Sequence, residues 1–337
     1  MRTALVTGSS GFIGFSITRR LLDDGFKVIG LDCMSDYYSA SLKERRQSIL
    51  LKHPNFRVIT QKVETPGVLL DIFHTERPEI VIHLAAQAGV RYSMENPRAY
   101  LESNICGTFE LLEAARTYPP QHLLLASSSS IYGANITMPY KETDKADHQV
   151  SFYAASKKAT ENIAHSYAHL FNIPTTIFRF FTVYGPWGRP DMAIYKFTKA
   201  IFEGRPIDVY NHGNMMRDFT FVNDLVQAVC LLIDTVPQIA KGIGAIDGDT
   251  LSPVAPYRVV NIGNSKAVQL TEFINAIENA TGKTAVRNLM AMQSGDVTNT
   301  WSDVTLLEAL TDYSPKTDIQ DGVNAFVSWY KTYYLEK

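Results

Sequence analysis

The sequence predicts an α/β fold: a doubly wound parallel sheet followed by a smaller C-terminal α/β lobe. Three observations predict it. Short aliphatic runs at 3–7, 27–31, 56–60, 80–84, 122–126 and 175–180 alternate with longer amphipathic stretches such as 11–24 and 104–117. Apolar runs separated by helices are the pattern of parallel strands covered on both faces. A glycine-rich turn joins the first run to the first amphipathic stretch.

Composition sets the outer bounds. A chain of 337 residues, 45% apolar and 20% charged, has ample material for a core, and disordered and fibrous classes drop out. The net charge is −2 with no long run of one sign, so nothing argues for nucleic acid or a membrane surface as a partner. Any anionic ligand must then be held by local groups. No apolar stretch approaches the roughly 20 residues of a membrane span. The N-terminus runs into glycines too soon for a signal peptide, and a cytoplasmic protein is expected. Cys33, Cys106 and Cys230 are far apart and odd in number. They are expected to be buried thiols in a reducing compartment, with no metal-ligand spacing among them.

The first strand feeds Gly8, Gly11 and Gly14, spaced G-x-x-G-x-x-G, and a helix follows at once. Such glycines let the main chain turn tightly against a pyrophosphate, which rests on the N–H groups at the helix start. Asp32 ends the second strand. A carboxylate there accepts from the adenosine ribose hydroxyls and repels a 2′-phosphate, so the turn and the acid together point to NAD rather than NADP. After the strand at 122–126 come four hydroxyls, Ser127, Ser128, Ser129 and Ser130. They sit at the carboxyl end of a strand, where ligands bind in an open α/β sheet, and one serine there can hydrogen-bond an oxygen that becomes a carbonyl. Tyr153 and Lys157 are spaced i, i+4 at a helix start, on one face. An ammonium beside a phenol lowers its pKa from about 10, which suits a general base for an alcohol that loses hydride.

Beyond residue 184 turn residues cluster and the strands become isolated, at 207–210 and 258–262. A loop rich in Gly, Asp and Pro covers 241–256. The expected division is a dinucleotide-binding domain at 1–183, to which 217–235 and 257–263 return, and a second lobe at 184–216 and 264–337.

Taken together, the glycine turn, Asp32, the HLAA segment at 83–86, Asn104, the serine run, Tyr153 with Lys157, and the RDF segment at 217–219 resemble the extended short-chain dehydrogenase/reductases that act on nucleotide sugars. The resemblance spans nearly the whole chain. It implies a Rossmann domain holding NAD, with Gly8, Gly11, Phe12, Ile13, Gly14, Asp32, Leu84, Ala85, Ala86, Asn104, Tyr153 and Lys157 as cofactor-binding residues. It selects Ser128 as the hydroxyl partner of Tyr153 and Lys157 in catalysis. A homodimer through paired helices, here at 100–116 and 156–171, is also implied.

The segment at 179–193, RFFTVYGPWGRPDMA, looks like that of the UDP-glucuronate 4-epimerases, as do the segments at 85–93 and 292–296. Family members that dehydrate or decarboxylate carry acids just after the catalytic hydroxyl, whereas this chain has Ser129 and Ser130 there. The resemblance implies substrate contacts from Ser128, Ser129, Thr182, Arg189, Met192, Lys196, Arg217, Gln293 and Asp296. Thr182 and Arg189 would hold the sugar carboxylate, a role suited to a hydroxyl beside a guanidinium fork. Ser294 stands where the family tends to have proline. Oxidation at C4 places a ketone β to the C6 carboxylate, and such acids lose CO2 when the C5–C6 bond aligns with the carbonyl. A clamp that holds the carboxylate otherwise suppresses that loss, while the ring turns and receives its hydrogen on the opposite face. Other readings stay open: a 4-epimerase for UDP-glucose or UDP-N-acetylglucosamine, a UDP-glucuronate decarboxylase, or a dinucleotide-sensing protein without chemistry.

Overall fold

The computed structural model describes residues 1–239, 246–293 and 297–336. Strand β1 (Thr3–Thr7) leads to α1 (Phe12–Asp23), β2 (Lys27–Leu31), α2 (Ala40–Leu50), β3 (Phe56–Ile59), α3 (Val68–Glu76) and β4 (Ile80–His83). Two short helices, α4 (Tyr92–Glu95) and α5 (Pro97–Tyr100), pass through a widened i→i+5 turn at Leu101–Cys106 into α6 (Gly107–Thr117). Then come β5 (His122–Ser128), α7 (Phe152–Phe171) and β6 (Thr175–Phe180). The second half continues with β7 (Thr182–Tyr184), α8 (Ala193–Phe202), β8 (Ile207–Val209), β9 (Met216–Phe221), α9 (Val222–Leu232) and β10 (Tyr257–Ile262). It closes with β11 (Ala267–Gln269), α10 (Leu270–Thr281), β12 (Arg287–Leu289), β13 (Asn299–Thr300), α11 (Thr305–Thr311) and α12 (Ile319–Tyr330).

Among the described residues, seven strands form one parallel sheet in the order β10-β6-β5-β4-β1-β2-β3. The order reverses at β1, whose Thr7 lies opposite Leu31 on one side and His83 on the other. Connections leave in opposite directions from that point and open a crevice at the carboxyl ends of the strands. The expected doubly wound sheet is therefore present, with its switch point at the glycine turn.

Side-chain alternation along the strands feeds two apolar layers. Ala4, Val6 and Ile82 face α1, α9 and α11, where Phe15, Leu225 and Leu307 are sealed from solvent. Leu5, Val81 and Leu123 face α3, α6 and α7, with Phe73, Leu111 and Ala164. A third core, built from Phe197, Phe273, Ile277 and Phe326, joins α8, α10 and α12 to β9. Phe219 and Phe273 stack there with centroids 4.0 Å apart, and burial of each such side chain contributes about 2–3 kcal/mol. β9 organises this region, pairing with β7, β11 and β13.

Local structure departs from the sequence reading in three places. β5 runs two residues past the expected end, because Ser127 and Ser128 continue the ladder opposite Arg179 and Phe180 of β6. The helix expected from 104 begins as the widened turn at Leu101–Cys106. The cysteines are free thiols but not all buried: Cys33 and Cys106 are exposed and Cys230 is half-buried. Cys33 follows β2 at the cleft wall, so neither helical layer covers it. Residues 241–245 of the expected loop at 241–256, with Ser294 and Asp296, lie outside the described residues. Among those described, no helix is long and apolar enough to cross a membrane, and no cluster of His, Cys, Asp and Glu could hold a metal.

Candidate active site

A cleft of about 470 Å³ opens at the switch point. Its floor at one end is the glycine turn, with Gly8, Gly11, Phe12, Ile13 and Gly14 all in the wall. Side chains have no room there. A Cβ on Gly8, whose φ is +72°, would meet the main-chain nitrogen of Ala85 at 2.9 Å, and one on Gly14 would meet the Gly8 carbonyl oxygen at 2.0 Å. Helix α1 starts at Gly11 without a side-chain cap or an acid in its first turn. Its leading N–H groups thus lack intrahelical partners and favour an anion. The main-chain nitrogens of Leu84 and Ala85 both donate to the Thr7 hydroxyl at 3.1 Å, fixing the turn at 84–86 along the same wall. Beneath it the His83 ring lies 2.8 Å from that hydroxyl, and burial holds His83 neutral with a pKa of about 3.

Asp32 lines this end and accepts from the main chain with both oxygens, from Ser10 at 2.9 Å and Met34 at 2.8 Å. Each oxygen keeps a further lone pair for a ligand hydroxyl. Lys43, which the sequence reading did not single out, also lines the cleft and donates to the carbonyl and hydroxyl of Ser35 at 2.7 and 2.8 Å. Burial lowers its pKa, and the charge of Asp32 opposes that shift. Buried Arg46 donates to the Ser10 carbonyl at 3.1 Å, to Tyr38 at 2.8 Å and to the Trp187 carbonyl. It therefore ties the glycine turn to the turn before Arg189. A glycine cradle, uncapped helix N–H groups and a carboxylate at the second strand fit a dinucleotide with an unphosphorylated ribose.

The four serines separate by their partners. Ser127 donates to Glu161 at 2.7 Å, and Glu161 is paired with buried Arg179 at 2.9 Å. Arg179 and Ser127 hold the Glu161 carboxyl low against the upward push of burial. Ser127 lines the cleft as well, but its hydroxyl is committed to the buried Glu161–Arg179 pair. Ser128 accepts from the Ser130 main chain at 3.2 Å and hydrogen-bonds the Tyr153 hydroxyl. Tyr153 and Lys157 stand on the first turns of α7, which Ser151 caps by accepting from Ala154 at 3.1 Å. Ser128, Tyr153 and Lys157 all line the cleft.

Burial pushes the Tyr153 phenol up, while the Ser128 hydrogen bond and the Arg189 charge pull it down. The lowering by Lys157 expected from the sequence does not dominate here. The ammonium donates to the Ala126 carbonyl at 2.8 Å, and burial lowers its own pKa to about 8.

The other end is assembled from scattered side chains. Thr182 at the start of β7, Arg189 and Met192 join Ser129 and Ser130 in the wall. A smaller cavity of about 170 Å³ shares Val90, Ser129, Ser130 and Thr182 with the main cleft and continues to Tyr140 and Arg217. Arg217 donates to the carbonyls of Met216, Val297 and Thr298. Asn104 lies behind the wall, its amide bonded to the main chain of Gln87 and to Ser156. It therefore shapes the loop after the 84–86 turn rather than facing the cleft. Lys196 is exposed on α8, and Gln293 is half-buried with its Oε1 unpartnered among the described residues. Both lie outside the two cavities.

The model of the NAD dependent epimerase/dehydratase family matches residues 4–246. A probable UDP-glucuronate 4-epimerase of Rhizobium meliloti (strain 1021) is 49% identical over 331 residues, covering 98% of this chain and 97% of its own. Among solved structures, UDP-glucuronic acid 4-epimerase from Bacillus cereus, in complex with UDP-glucuronic acid and NAD, superposes with a TM-score of 0.88. It is 29% identical, over 98% of this chain and 100% of that one. A UDP-glucose 4-epimerase from Thermotoga maritima with UDP-glucose has a TM-score of 0.84 and 26% identity over 98% and 99% of the two chains. Backbone likeness therefore does not choose the sugar, and the side chains in the cleft must.

Proposed function

The chain belongs to the NAD dependent epimerase/dehydratase family, and we propose that within it this protein interconverts UDP-glucuronate and UDP-galacturonate by inversion at C4. One observation carries the choice of sugar: Arg189 and Thr182 stand in the wall of the cleft that also holds Ser128, Tyr153 and Lys157. A guanidinium and a hydroxyl within one substrate's span of the catalytic set suit a hexuronate carboxylate. The high identity to a probable UDP-glucuronate 4-epimerase supports the same reading.

Bound NAD supplies the acceptor of the C4 hydrogen and its source on return. The residues do the rest. Tyr153 takes the 4-hydroxyl proton as the C4–H bond breaks, and returns it when that bond re-forms on the other face. Ser128 donates to the oxygen while it is a carbonyl. Lys157, anchored on Ala126, keeps a positive charge beside the reacting oxygens. Thr182 and Arg189 hold the carboxylate away from the alignment that releases CO2. In this reading 1–183, with 217–235 and 257–263, is the NAD-binding domain. The lobe formed by 184–216 and 264–337 grips UDP, with Arg217 on the diphosphate and, by resemblance of their segment alone, Gln293 and Asp296 assigned to the uridine. Ser129 and Met192 flank the sugar, and the resemblance assigns Lys196, exposed on α8, to the phosphates.

Incubation with UDP-glucuronate tests this directly. UDP-galacturonate must accumulate to equilibrium, with little CO2 or UDP-pentose, and UDP-glucose must be a poor substrate. A homodimer accompanies the reading, supported by apolar side chains left exposed on α6 (Phe109) and α7 (Phe152, Leu170 and Phe171). Light scattering that finds a monomer at micromolar concentration would remove it.

A further inference from the structure

The guanidinium read above as a carboxylate clamp already has a carboxylate. Arg189 Nε donates to Asp191 Oδ1 at 3.0 Å and its Nη2 to Oδ2, a fork-to-fork pair across Pro190. Arg189 lines the cleft, whereas Asp191 is set back from its wall. Tyr37, in the loop after β2 and also in the cleft wall, donates to Asp191 Oδ2 at 3.3 Å. The Tyr37 ring lies 5.9 Å from the guanidinium carbon. Burial and the Asp191 charge push the Tyr37 phenol up to about 12, so it remains a donor. The carboxylate is thus fixed from two segments far apart in the chain. Its bonds use two of the five N–H donors of Arg189 and leave three for another partner.

We propose that Asp191 is a resident counter-ion that exchanges Arg189 with the hexuronate carboxylate as the sugar binds, turns and departs; this rests on the epimerase reading above. A ring that presents its other face must first give up the contacts that held its carboxylate. An arginine in a half-buried wall, left without any partner, would resist that release, because an uncompensated buried charge is costly. With Asp191 alongside, release replaces one carboxylate by another. The same negative charge opposes the incoming substrate, so the clamp is weaker than a lone arginine and quicker to open. A neutral sugar meets a pair already neutral and gains little from it. Asp191 would then be a specificity and positioning residue that acts on substrate through Arg189.

Asp191→Asn removes the charge and nearly preserves the shape. Calorimetry in a Tyr153→Phe background, where nothing turns over, should show the Kd for UDP-glucuronate falling about fivefold while that for UDP-glucose stays within about twofold. With Tyr153 restored, KM and kcat should fall together, and Asp191→Glu should recover kcat. Tyr37→Phe keeps the charge but removes one of its hydrogen bonds, tightening the Asp191–Arg189 pair, so the Kd for UDP-glucuronate should rise about twofold. Weaker binding by the Asn variant would make Asp191 a mere orienter of Arg189 and overturn the exchange. So would unchanged Kd and kcat. Should the Asn variant not fold, the sign of the Tyr37→Phe effect still decides. Native protein inert toward UDP-glucuronate would sink the epimerase reading instead, which separates the two failures.

Discussion

At the glycine-turn end of the cleft, the groups that face a ligand are mostly main chain, and they come from short contiguous segments. At the far end they are side chains delivered by β5, the start of β7, the 185–192 loop and β9. The first end is rigid because backbone touches backbone: the space above Gly8 and Gly14 is closed by main-chain atoms of Ala85 and Gly8. At the second, Arg189 already shares its donors with Asp191 and the cavity extends into a second chamber. The difference teaches how one cleft can hold a cofactor still while a sugar turns over beside it. The fixed partner meets geometry that cannot yield, and the moving partner meets charges that can be exchanged.

Substitutions at the two ends should therefore fail in different ways. The largest effect is expected where the ends meet: Tyr153→Phe removes the only proposed proton carrier and should lower kcat about a thousandfold, within the usual span of general acid–base catalysis. NAD content, read from absorbance after denaturation, should not change. Gly14→Ala, at the rigid end, sets a methyl 2.0 Å from the Gly8 carbonyl oxygen. It should cost about 3 kcal/mol of stability and release the cofactor, measurable as a lower Tm and loss of bound NAD. A variant that folds normally and keeps NAD would break the contrast. At the adaptable end, Arg189→Ala should leave NAD content alone and lower Tm only slightly, since Asp191 loses its partner at a site that is partly exposed. It should raise KM for UDP-glucuronate about tenfold to a hundredfold, and let CO2 escape in proportion to turnover.

The smallest effect concerns pH. Behind the sugar end, Glu142 accepts from the Asn261 main chain at 2.8 Å, and burial pushes its carboxyl up to about 7. An acid whose folded pKa is raised contributes stability that is full below its unfolded value, near 4.5, and is lost as pH rises through 7. Glu142→Gln should then gain about 1 kcal/mol at pH 8 and nothing at pH 4, seen in paired thermal melts. His83 under the cofactor end has the opposite slope. Its folded pKa is depressed to about 3, so its contribution is present above the unfolded value of 6.5 and is lost as the solution is acidified.

The two ends also differed in how readable they were. Gly8, Gly11, Gly14 and Asp32 announce themselves because backbone-led recognition needs fixed residue types at fixed spacing. The α/β alternation followed from apolar periodicity alone, whereas the switch point at β1 emerges only from the strand order. Thr182 and Arg189 carry no such spacing, and only the resemblance of their segment singled them out. Tyr37, Lys43, Arg46 and Asp191 were not found. A tyrosine in a loop or an aspartate after a proline has no pattern of its own; Tyr37 meets Asp191 across 154 residues of chain and Arg46 meets Trp187 across 141. All four serines line the cleft, and composition could not tell which of their hydroxyls is already committed elsewhere. That depends on the ladder with β6 and on Glu161 taking Ser127. The exposure of Cys33 and Cys106 was likewise invisible, since each sits where an element ends or turns outward.

The central claim is that the hydrogen removed from C4 is the one put back. Turnover of UDP-glucuronate in D2O, followed by NMR of the UDP-galacturonate formed, tests it most directly. The account predicts protium at C4 in every molecule of product, and solvent deuterium at that carbon would contradict it.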